Sequence, residues 1–266
     1  MVAIVATNCI SRWSGALGIV AFVAVIRPAE ADPRAVVELF TSQGCSSCPP
    51  ADKLLGEFSA DPSVVALSVP IDYWDYLGWK DTLADPAHSA RQRAYAHMRG
   101  DRQVYTPQIV VNGATHVLGS DHTAIERAIA QTDQKPGVMS LPVLISMGGG
   151  GLNVQVDTAK TDHAAGEVWM CPVRKSVPVS IERGENRGRT ITYHNVVRGW
   201  IKLGDWNGSD ANWTIPVSDI KVGDADAAVV MVQEGMHEKP GIIMGAAYMP
   251  IGQPSPSEAR QTTEAK

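Results

Sequence analysis

A pair of cysteines between an apolar strand and a helix start constrains this chain more than any other feature. The stretch ELFTSQGCSSCPP spans residues 38–50 and contains Cys45 and Cys48. The segment AVVELFT (35–41) that leads into it has the β-branched, apolar character of a buried strand. The proline pair that follows fits only the first turn of a helix, where backbone N–H groups have no partner within the helix. The spacing alone is compatible with a redox couple, a metal clamp or a structural staple.

The N-terminal residues have the pattern of a secretory signal. Arg12 precedes an uncharged apolar run over 13–26, and small residues at 29–31 suit a signal peptidase. A membrane anchor is the alternative, but the run is shorter than the roughly 20 residues of a spanning helix. We therefore predict a signal peptide over 1–31, cleaved after Ala31, and a periplasmic or secreted protein without stable membrane insertion.

Export places the remaining cysteines in an oxidising compartment. Cys9 leaves with the signal, so Cys45, Cys48 and Cys171 remain, an odd number that leaves one thiol over from any pairing within the chain. Cys45 and Cys48 are the obvious pair, and we predict a disulfide between them. Cys171, in the strand-like stretch VWMCPV, is expected to be a buried and inert thiol.

The composition fits a globular, acidic protein. Of 266 residues, 44% are hydrophobic and 19% charged, so a sizeable core is expected. The net charge is −5 and the pI is near 5.8, which argues against nucleic acid or an anionic membrane as the main partner. These values do not indicate an oligomeric state.

The order of elements changes character near the middle of the chain. Apolar runs, helix caps and an Asn112-Gly113 turn predict β-α-β-α-β-β-α within a domain over 32–135. From residue 136 to 252, short strand-like runs follow one another without a helix, which predicts a smaller all-β, sandwich-like domain. The polar tail, 253–266, is expected to be disordered.

The context of the cysteines favours redox chemistry over a metal or haem. A structural zinc site usually brings four ligands, but the chain has no second cysteine pair. Haem attachment needs a histidine after the second cysteine, where Pro49 stands. Copper handling is left as a minor alternative, because copper(I) suits thiolates. We predict no metal and no cofactor.

A cysteine at the start of a helix is a good nucleophile once reduced. Unpaired N–H groups and the positive end of the helix dipole stabilise its thiolate, the species that attacks disulfides. Cys45 is therefore the predicted nucleophile and Cys48 the resolving thiol. Thr106-Pro107 begins a later strand, at a point where a cis proline would bring its backbone beside the cysteines.

This combination of strand, C-x-x-C helix, Thr-Pro strand and hairpin resembles the thioredoxin and glutaredoxin superfamily. The resemblance implies an α/β thioredoxin-like domain with a glutaredoxin-like core, a cis Pro107, and a Thr106 that offers backbone groups to a substrate strand. The chain departs from thioredoxin in having Gly44 before the first cysteine and Ser46-Ser47 between the two. The redox potential is consequently not predictable.

A closer resemblance is carried by ELFTSQGCSSCPPAD together with IDYWDYLGWKD. These stretches, and GENRGRTITYHNVVRGW in the second half, are similar to the DUF1223 family of secreted bacterial proteins. The resemblance implies a fold and an exported location, and no particular substrate.

Four further residues are candidates for a supporting role. Glu38 lies on the strand before the cysteines, where a buried carboxylate would accept the proton of Cys48; the alternative is an outward-facing side chain. Tyr73, Trp74 and Trp79 follow the second strand and would form a rim that grips a peptide or ligand. The alternative is a small core that secures a long connection.

These features predict an exported thiol–disulfide oxidoreductase that acts on a disulfide- or thiol-bearing protein or on a small thiol. The alternative is a non-enzymatic binding protein in which the cysteine pair is structural.

Overall fold

A single mixed sheet of nine strands connects the two halves of the chain. The computed structural model describes residues 32–159, 165–220 and 222–251. The predicted signal peptide and C-terminal tail lie outside these residues. Within them, no helix has the length and apolar character needed to cross a membrane.

The first half has the order of elements that the sequence predicts. Its strands and helices are β1 (Ala35–Thr41), α1 (Pro49–Ser59), β2 (Val64–Pro70), a 3₁₀ turn (Asp75–Leu77), α2 (Pro86–Arg99), β3 (Gln108–Val111), β4 (Thr115–Leu118) and α3 (His122–Asp133). β1 pairs in parallel with β2 and antiparallel with β3. The β3–β4 turn has positive φ at Asn112 (51°) and Gly113 (66°), the conformation that Asn-Gly hairpin turns require.

The second half consists mainly of strands. They are β5 (Val143–Gly148), β6 (Gly151–Val156), β7 (Gly166–Ser180), β8 (Thr190–Val197), β9 (Ile201–Trp206), β10 (Ala211–Pro216), the one-turn helix α4 (Val217–Ile220), β11 (Ala227–Met236) and β12 (Lys239–Pro250). β10, β6 and β5 form a separate three-stranded sheet. Its apolar side chains, including Leu152 and Val154, share a core with Met170 of β7 and Val230 of β11.

The prediction of a thioredoxin-like α/β fold followed by an all-β sandwich is wrong. The large sheet has the order β12-β11-β7-β8-β2-β1-β3-β4, with β9 on β7, so strands of the second half continue the sheet of the first. The described residues are mostly β, 43% in strands and 21% in helices, and among them there is no helix-flanked α/β core of the thioredoxin kind. The physical reason lies at β2, whose entirely buried sequence, VVALSVP, needs a partner on each edge. Periodicity identifies such a strand, but not the distant segment that pairs with it.

The junction between the halves is a short parallel contact between β2 and β8. Ser68 pairs with Val196. The side-chain amide of Asn195, which has a φ of 46°, donates to the carbonyl oxygen of Ala66 at 3.0 Å. The Asn195 side chain therefore takes the place of a backbone hydrogen bond between β2 and β8 next to their one paired position. The β3–β4 turn is also bonded to the second half, since Ile243 N–H donates to the carbonyl oxygen of Asn112 at 2.9 Å.

A buried ion pair joins α2 to β1 and extends to β11. Arg91 donates to both carboxylate oxygens of Glu38, at 2.7 and 3.2 Å, and to the Gln233 side chain at 3.0 Å. Tyr95 donates to the same carboxylate at 2.6 Å, and the Trp200 ring lies 4.1 Å from the guanidinium carbon. Burial opposes the charge, but the carboxylate of Glu38 raises the pKa of Arg91 above its ordinary value.

Breaking this pair should destabilise the protein strongly. We expect Glu38→Gln to lower the free energy of unfolding by about 3–5 kcal/mol, because Arg91 is left buried with an uncompensated charge. The double variant Glu38→Gln/Arg91→Met should recover much of the loss. The measurement is urea unfolding, with Lys53→Ala of the exposed Lys53–Glu57 pair as a control that changes stability by less than about 1 kcal/mol. A Glu38→Gln effect as small as the control would contradict the prediction.

Candidate redox site

The cysteine pair forms a disulfide at the junction of β1 and α1. Cys45 and Cys48 are bonded, with their Cα atoms 5.4 Å apart, as predicted. Cys48 is the N-cap residue of α1, and its carbonyl oxygen accepts from Ala51 N–H at 2.8 Å and Asp52 N–H at 3.1 Å. The proline pair occupies the first helical positions, where no hydrogen bond is lost.

The two sulfur-bearing residues differ in access to solvent. Cys45 is 5% exposed and Cys48 is fully buried. The intervening residues, Ser46 and Ser47, are exposed, and Ser47 Oγ lies 3.4 Å from Cys45 Sγ. A partner approaching over the serine pair therefore meets Cys45 first.

Thr106 and Pro107 lie at the same end of the sheet. β3 runs antiparallel to β1, so its start adjoins the end of β1 that leads into the cysteines. The Thr106–Pro107 peptide bond is cis, as the superfamily resemblance implies. Gly119 N–H donates to the Pro107 carbonyl at 3.0 Å. A Cβ atom on Gly119 would lie 3.1 Å from Pro107 Cβ and 3.2 Å from Ala51 Cβ, which places Pro107 close to the first turn of α1.

Trp74 connects the aromatic loop to this site. Its indole N–H donates to Thr106 Oγ1 at 2.8 Å. A Cβ atom on Gly44, the residue before Cys45, would lie 3.3 Å from Trp74 Cβ, a tight contact that shows how closely Trp74 approaches the cysteine loop (residues 42–48). Tyr76 stacks on Trp74 with ring centroids 6.2 Å apart and is 76% exposed. Trp74 and Tyr76 thus form an aromatic surface beside the disulfide.

The other two aromatic candidates have separate contacts. Tyr73 donates its hydroxyl to Gln92 of α2 at 3.1 Å. Trp79 packs with Ile181, Ile191 and Tyr193, and its indole N–H donates to the Gln43 side chain at 2.8 Å. Trp79 therefore packs in a small core that secures the loop to the second half, and does not line a rim open to a ligand.

Glu38 lies on the face of the sheet opposite α1. Side chains alternate along a strand, and Val37 and Leu39 pack in the core that contains α1, whereas Val36 and Phe40 pack in another. Glu38 belongs to the second set, and both of its oxygens bind Arg91. The structure does not bring this carboxylate together with the disulfide.

Asp52 is a buried acid that the sequence reasoning missed. It lies in the first turn of α1 and is 1% exposed. One carboxylate oxygen accepts from Thr41 Oγ1 at 2.7 Å, and the other has no hydrogen-bond partner among the described residues. Burial raises the pKa of Asp52 to about 8. An acidic residue in a first turn usually lies on the surface and compensates the helix dipole, so the sequence pattern does not indicate that Asp52 is buried.

A second buried acid holds the turn before the cysteines. Asp81 accepts from Gln43 N–H at 2.7 Å and from Leu83 N–H at 2.8 Å. Burial raises the pKa of Asp81 to about 6 despite these bonds. Burial, followed by the charges of Asp52 and Asp81, also raises the pKa of Tyr193, whose hydroxyl has no partner among the described residues. Two acids and a phenol are thus close enough to influence one another.

Asn186 was also missed as a site residue. It lies in the β7–β8 loop, and its amide donates to the carbonyl oxygens of Gln43 and Cys45. The sequence signal was present in GENRGR, but nothing in the sequence connects that stretch with the cysteines.

The remaining cysteine of the described residues is a free thiol in the second half of the chain. Cys171 is a free, fully buried cysteine in β7, as predicted, and burial raises its pKa well above the ordinary value. In the described part of the chain, no group of three or more His, Cys, Asp or Glu side chains has the arrangement of a metal site.

Comparison with known proteins identifies the family. Fold and site together define a mixed-sheet protein with a C-x-x-C disulfide at a strand–helix junction. The chain belongs to the DUF1223 family, described as a protein of unknown function, whose model matches residues 36–233. No curated protein matches the chain.

Two solved structures are similar. A crystal structure of a protein from Agrobacterium tumefaciens has 29% sequence identity and a TM-score of 0.76, covering 85% of this chain and 98% of that one. HBP35 of Porphyromonas gingivalis has 12% identity and a TM-score of 0.51, covering 85% of this chain and 77% of that one. The second likeness concerns the fold alone.

The burial of Asp52 should make stability depend on pH. Its folded pKa of about 8 lies above the ordinary 3.8, so the folded state keeps a proton that the unfolded chain loses. The contribution of Asp52 to stability therefore falls as the pH rises from about 4 to 8, by up to about 1.4 kcal/mol per pH unit. We expect Asp52→Asn, which cannot titrate, to gain stability relative to the wild type over this range.

Urea unfolding at pH 5, 6, 7 and 8 measures this difference. Asp133→Asn at the exposed end of α3 is the matched control, for which the difference from wild type should stay nearly constant. A constant difference for Asp52→Asn between pH 5 and 8 would contradict the predicted pKa.

Proposed function

We propose that this protein is exported and acts as a thiol–disulfide oxidoreductase through Cys45 and Cys48. The observation that carries the proposal is the disulfide at the N-terminus of α1, with Thr106, Pro107 and Trp74 beside it. In the reduced protein, the unpaired N–H groups and dipole of this eleven-residue helix favour a thiolate.

The reaction is a pair of exchanges. The Cys45 thiolate attacks one sulfur of a partner disulfide; the partner S–S bond breaks, and its other sulfur leaves as a thiolate. Cys48, after losing its proton, attacks Cys45 Sγ and displaces the first partner sulfur. The cysteine pair loses two electrons, and the partner gains two electrons and takes up two protons. A thiol-bearing protein or small thiol returns the pair to the dithiol by the reverse sequence.

Asp52 is the proposed acceptor for the Cys48 proton. Cys48 and Asp52 stand four residues apart at the start of α1, a spacing that puts both side chains on one face of the helix. One Asp52 oxygen has no partner among the described residues, and it can take up the proton in the ionised fraction of Asp52, which grows as the pH approaches 8. A pKa of about 8 suits exchange with a thiol near neutral pH.

Exposed apolar side chains around the site favour a protein substrate over a small thiol. Tyr76 is 76% exposed, Leu118 50% and Val104 38%. Tyr76 stacks on Trp74, Val104 precedes Thr106 by two residues, and Leu118 adjoins the glycine that binds Pro107. An extended polypeptide would bury these side chains against its own, whereas a small polar thiol would leave them exposed.

A binding protein with a structural disulfide is the second candidate. The observation that favours it is the burial of the pair, since Cys45 is only 5% exposed and Cys48 is inaccessible. The two candidates differ in the reduction potential expected for the disulfide. A structural disulfide has a potential below roughly −300 mV and is not reduced by glutathione, whereas a working one exchanges with glutathione.

Trapping tests the proposed reaction directly. Reduced Cys48→Ser should form a stable mixed disulfide with a cysteine-containing peptide disulfide, because the resolving thiol is absent. Cys45→Ser should form little or none, because the buried Cys48 cannot be reached. Cys171→Ala serves as the control and should turn over like the wild type. A wild-type pair that resists reduction to about −300 mV and forms no mixed disulfide would favour the structural candidate.

The apolar surface predicts which disulfides are reduced fastest. Tyr76→Ser/Leu118→Ser should slow reduction of a disulfide in an apolar polypeptide by about three- to tenfold through lost apolar burial, and leave the rate with oxidised glutathione unchanged. Leu144→Ser, an exposed apolar residue on the smaller sheet, is the matched control. Equal slowing with both substrates would show that the variant damages the site instead of the docking surface.

A further inference from the structure

One polar residue of the β7–β8 loop is buried in an otherwise exposed run. Residues 182–185 and 187–190 are exposed, whereas Asn186 is fully buried. The loop is folded back on itself, since Gly188 N–H donates to Ile181 O at 2.8 Å and Ile181 N–H donates to Arg189 O at 2.9 Å. The loop thus has a defined shape that points one amide side chain inward.

Both partners of this amide nitrogen belong to the cysteine loop, residues 42–48 between β1 and α1. Asn186 Nδ2 donates to Gln43 O at 2.9 Å and to Cys45 O at 2.8 Å. Its Oδ1 accepts from the Arg189 guanidinium at 3.3 Å, which orients the amide. Without Asn186, the Gln43 carbonyl would lose this donor and the Cys45 carbonyl would keep only its bond from Cys48 N–H at 3.2 Å, so the loop would be held less firmly.

We propose that Asn186 is a positioning residue that sets how readily the Cys45–Cys48 disulfide forms, an inference that rests on the proposed redox function. Cys48 is fixed by α1, so the separation of the two thiols in the reduced protein depends on the backbone of Cys45. Asn186 fixes that backbone from the second half of the chain. The disulfide forms intramolecularly, and its equilibrium constant follows the effective concentration of one thiol at the other. Holding Cys45 in place therefore stabilises the disulfide and lowers its reduction potential.

Other contacts of the turn do not substitute for this one. Gln43 N–H binds Asp81, and Cys45 N–H binds Ser42 O at 3.1 Å. The Ser42 contact, and the bond from Cys48 N–H to the Cys45 carbonyl at 3.2 Å, are both internal to the loop, so neither ties Cys45 to the second half of the chain. Asn186 is the residue that ties the carbonyl of Cys45 itself to a different part of the chain.

The test is equilibration of the mature protein with glutathione redox buffers, followed by thiol alkylation and mass measurement of the oxidised fraction. We expect the equilibrium constant for disulfide formation to fall about tenfold in Asn186→Ala, a rise in potential of about 30 mV. In Asn186→Leu, which has the same number and branching of side-chain heavy atoms as asparagine but no donor, the constant should fall equally. Arg189→Ala keeps the Asn186 amide but removes the bond that orients it, so the equilibrium constant should fall about two- to threefold. Glu185→Ala, an exposed neighbour, should not change.

The outcomes separate positioning from packing. An Asn186→Leu variant that keeps the wild-type constant while Asn186→Ala loses it would show that volume matters and would overturn the proposal. Lower unfolding midpoints with unchanged constants would also overturn it. If either Asn186 variant fails to fold, an unchanged constant in the folded Arg189→Ala variant overturns it.

The equilibrium measurement is independent of turnover. A wild type that reduces no partner but shows the predicted shifts would refute the proposed function and leave the role of Asn186 intact. A wild type that turns over, with no shift in any variant, would refute only the role of Asn186.

Discussion

The pairing of β8 with β2 is the contact on which the rest of the structure depends. It is short, with Ser68 opposite Val196 and the Asn195 amide bonded to Ala66 O. It nevertheless extends the sheet of the first half into the second and places the β7–β8 loop against the cysteine loop. The two faces of this sheet carry different buried charged groups. The Glu38–Arg91 pair lies on one face, and α1, with Asp52 in its first turn, packs on the other.

The two buried carboxylates near the cysteines are poor contributors to stability, but their raised pKa values suit proton exchange near neutral pH. Burial without a cation raises the pKa of Asp52 to about 8 and that of Asp81 to about 6. A fold selected only for stability would place amides at such positions, because a neutral side chain avoids the cost of desolvating a charge. Groups that exchange protons near neutral pH are typical of functional sites. Glu38, by contrast, is buried in an ion pair with Arg91.

Local features were predictable from the sequence, and distant contacts were not. The element order of the first half, the Cys45–Cys48 disulfide, the burial of Cys171 and the family follow from patterns within short stretches or from the resemblance they carry. The prediction of the fold class failed because the sequence of an apolar strand such as β2 does not specify which distant strand pairs with its edge. For the same reason, the sequence did not reveal that Glu38 binds Arg91, 53 residues away, or that Asn186 belongs to the site. Strand alternation indicates a face, but the chemistry of that face is supplied by residues elsewhere in the chain.

The distance along the chain between Asn186 and Cys45 has a consequence for biosynthesis. The two residues are 141 positions apart, so the cysteine loop leaves the ribosome, and crosses any membrane that the chain is exported through, long before its support. During that interval the thiols lie in a flexible segment and meet other cysteines without the restraint of the folded protein. A chain interrupted within the second half would keep the complete C-x-x-C sequence but not the tertiary contacts that surround it. The cysteine motif is therefore encoded early in the chain, whereas the environment that sets its chemistry is completed late.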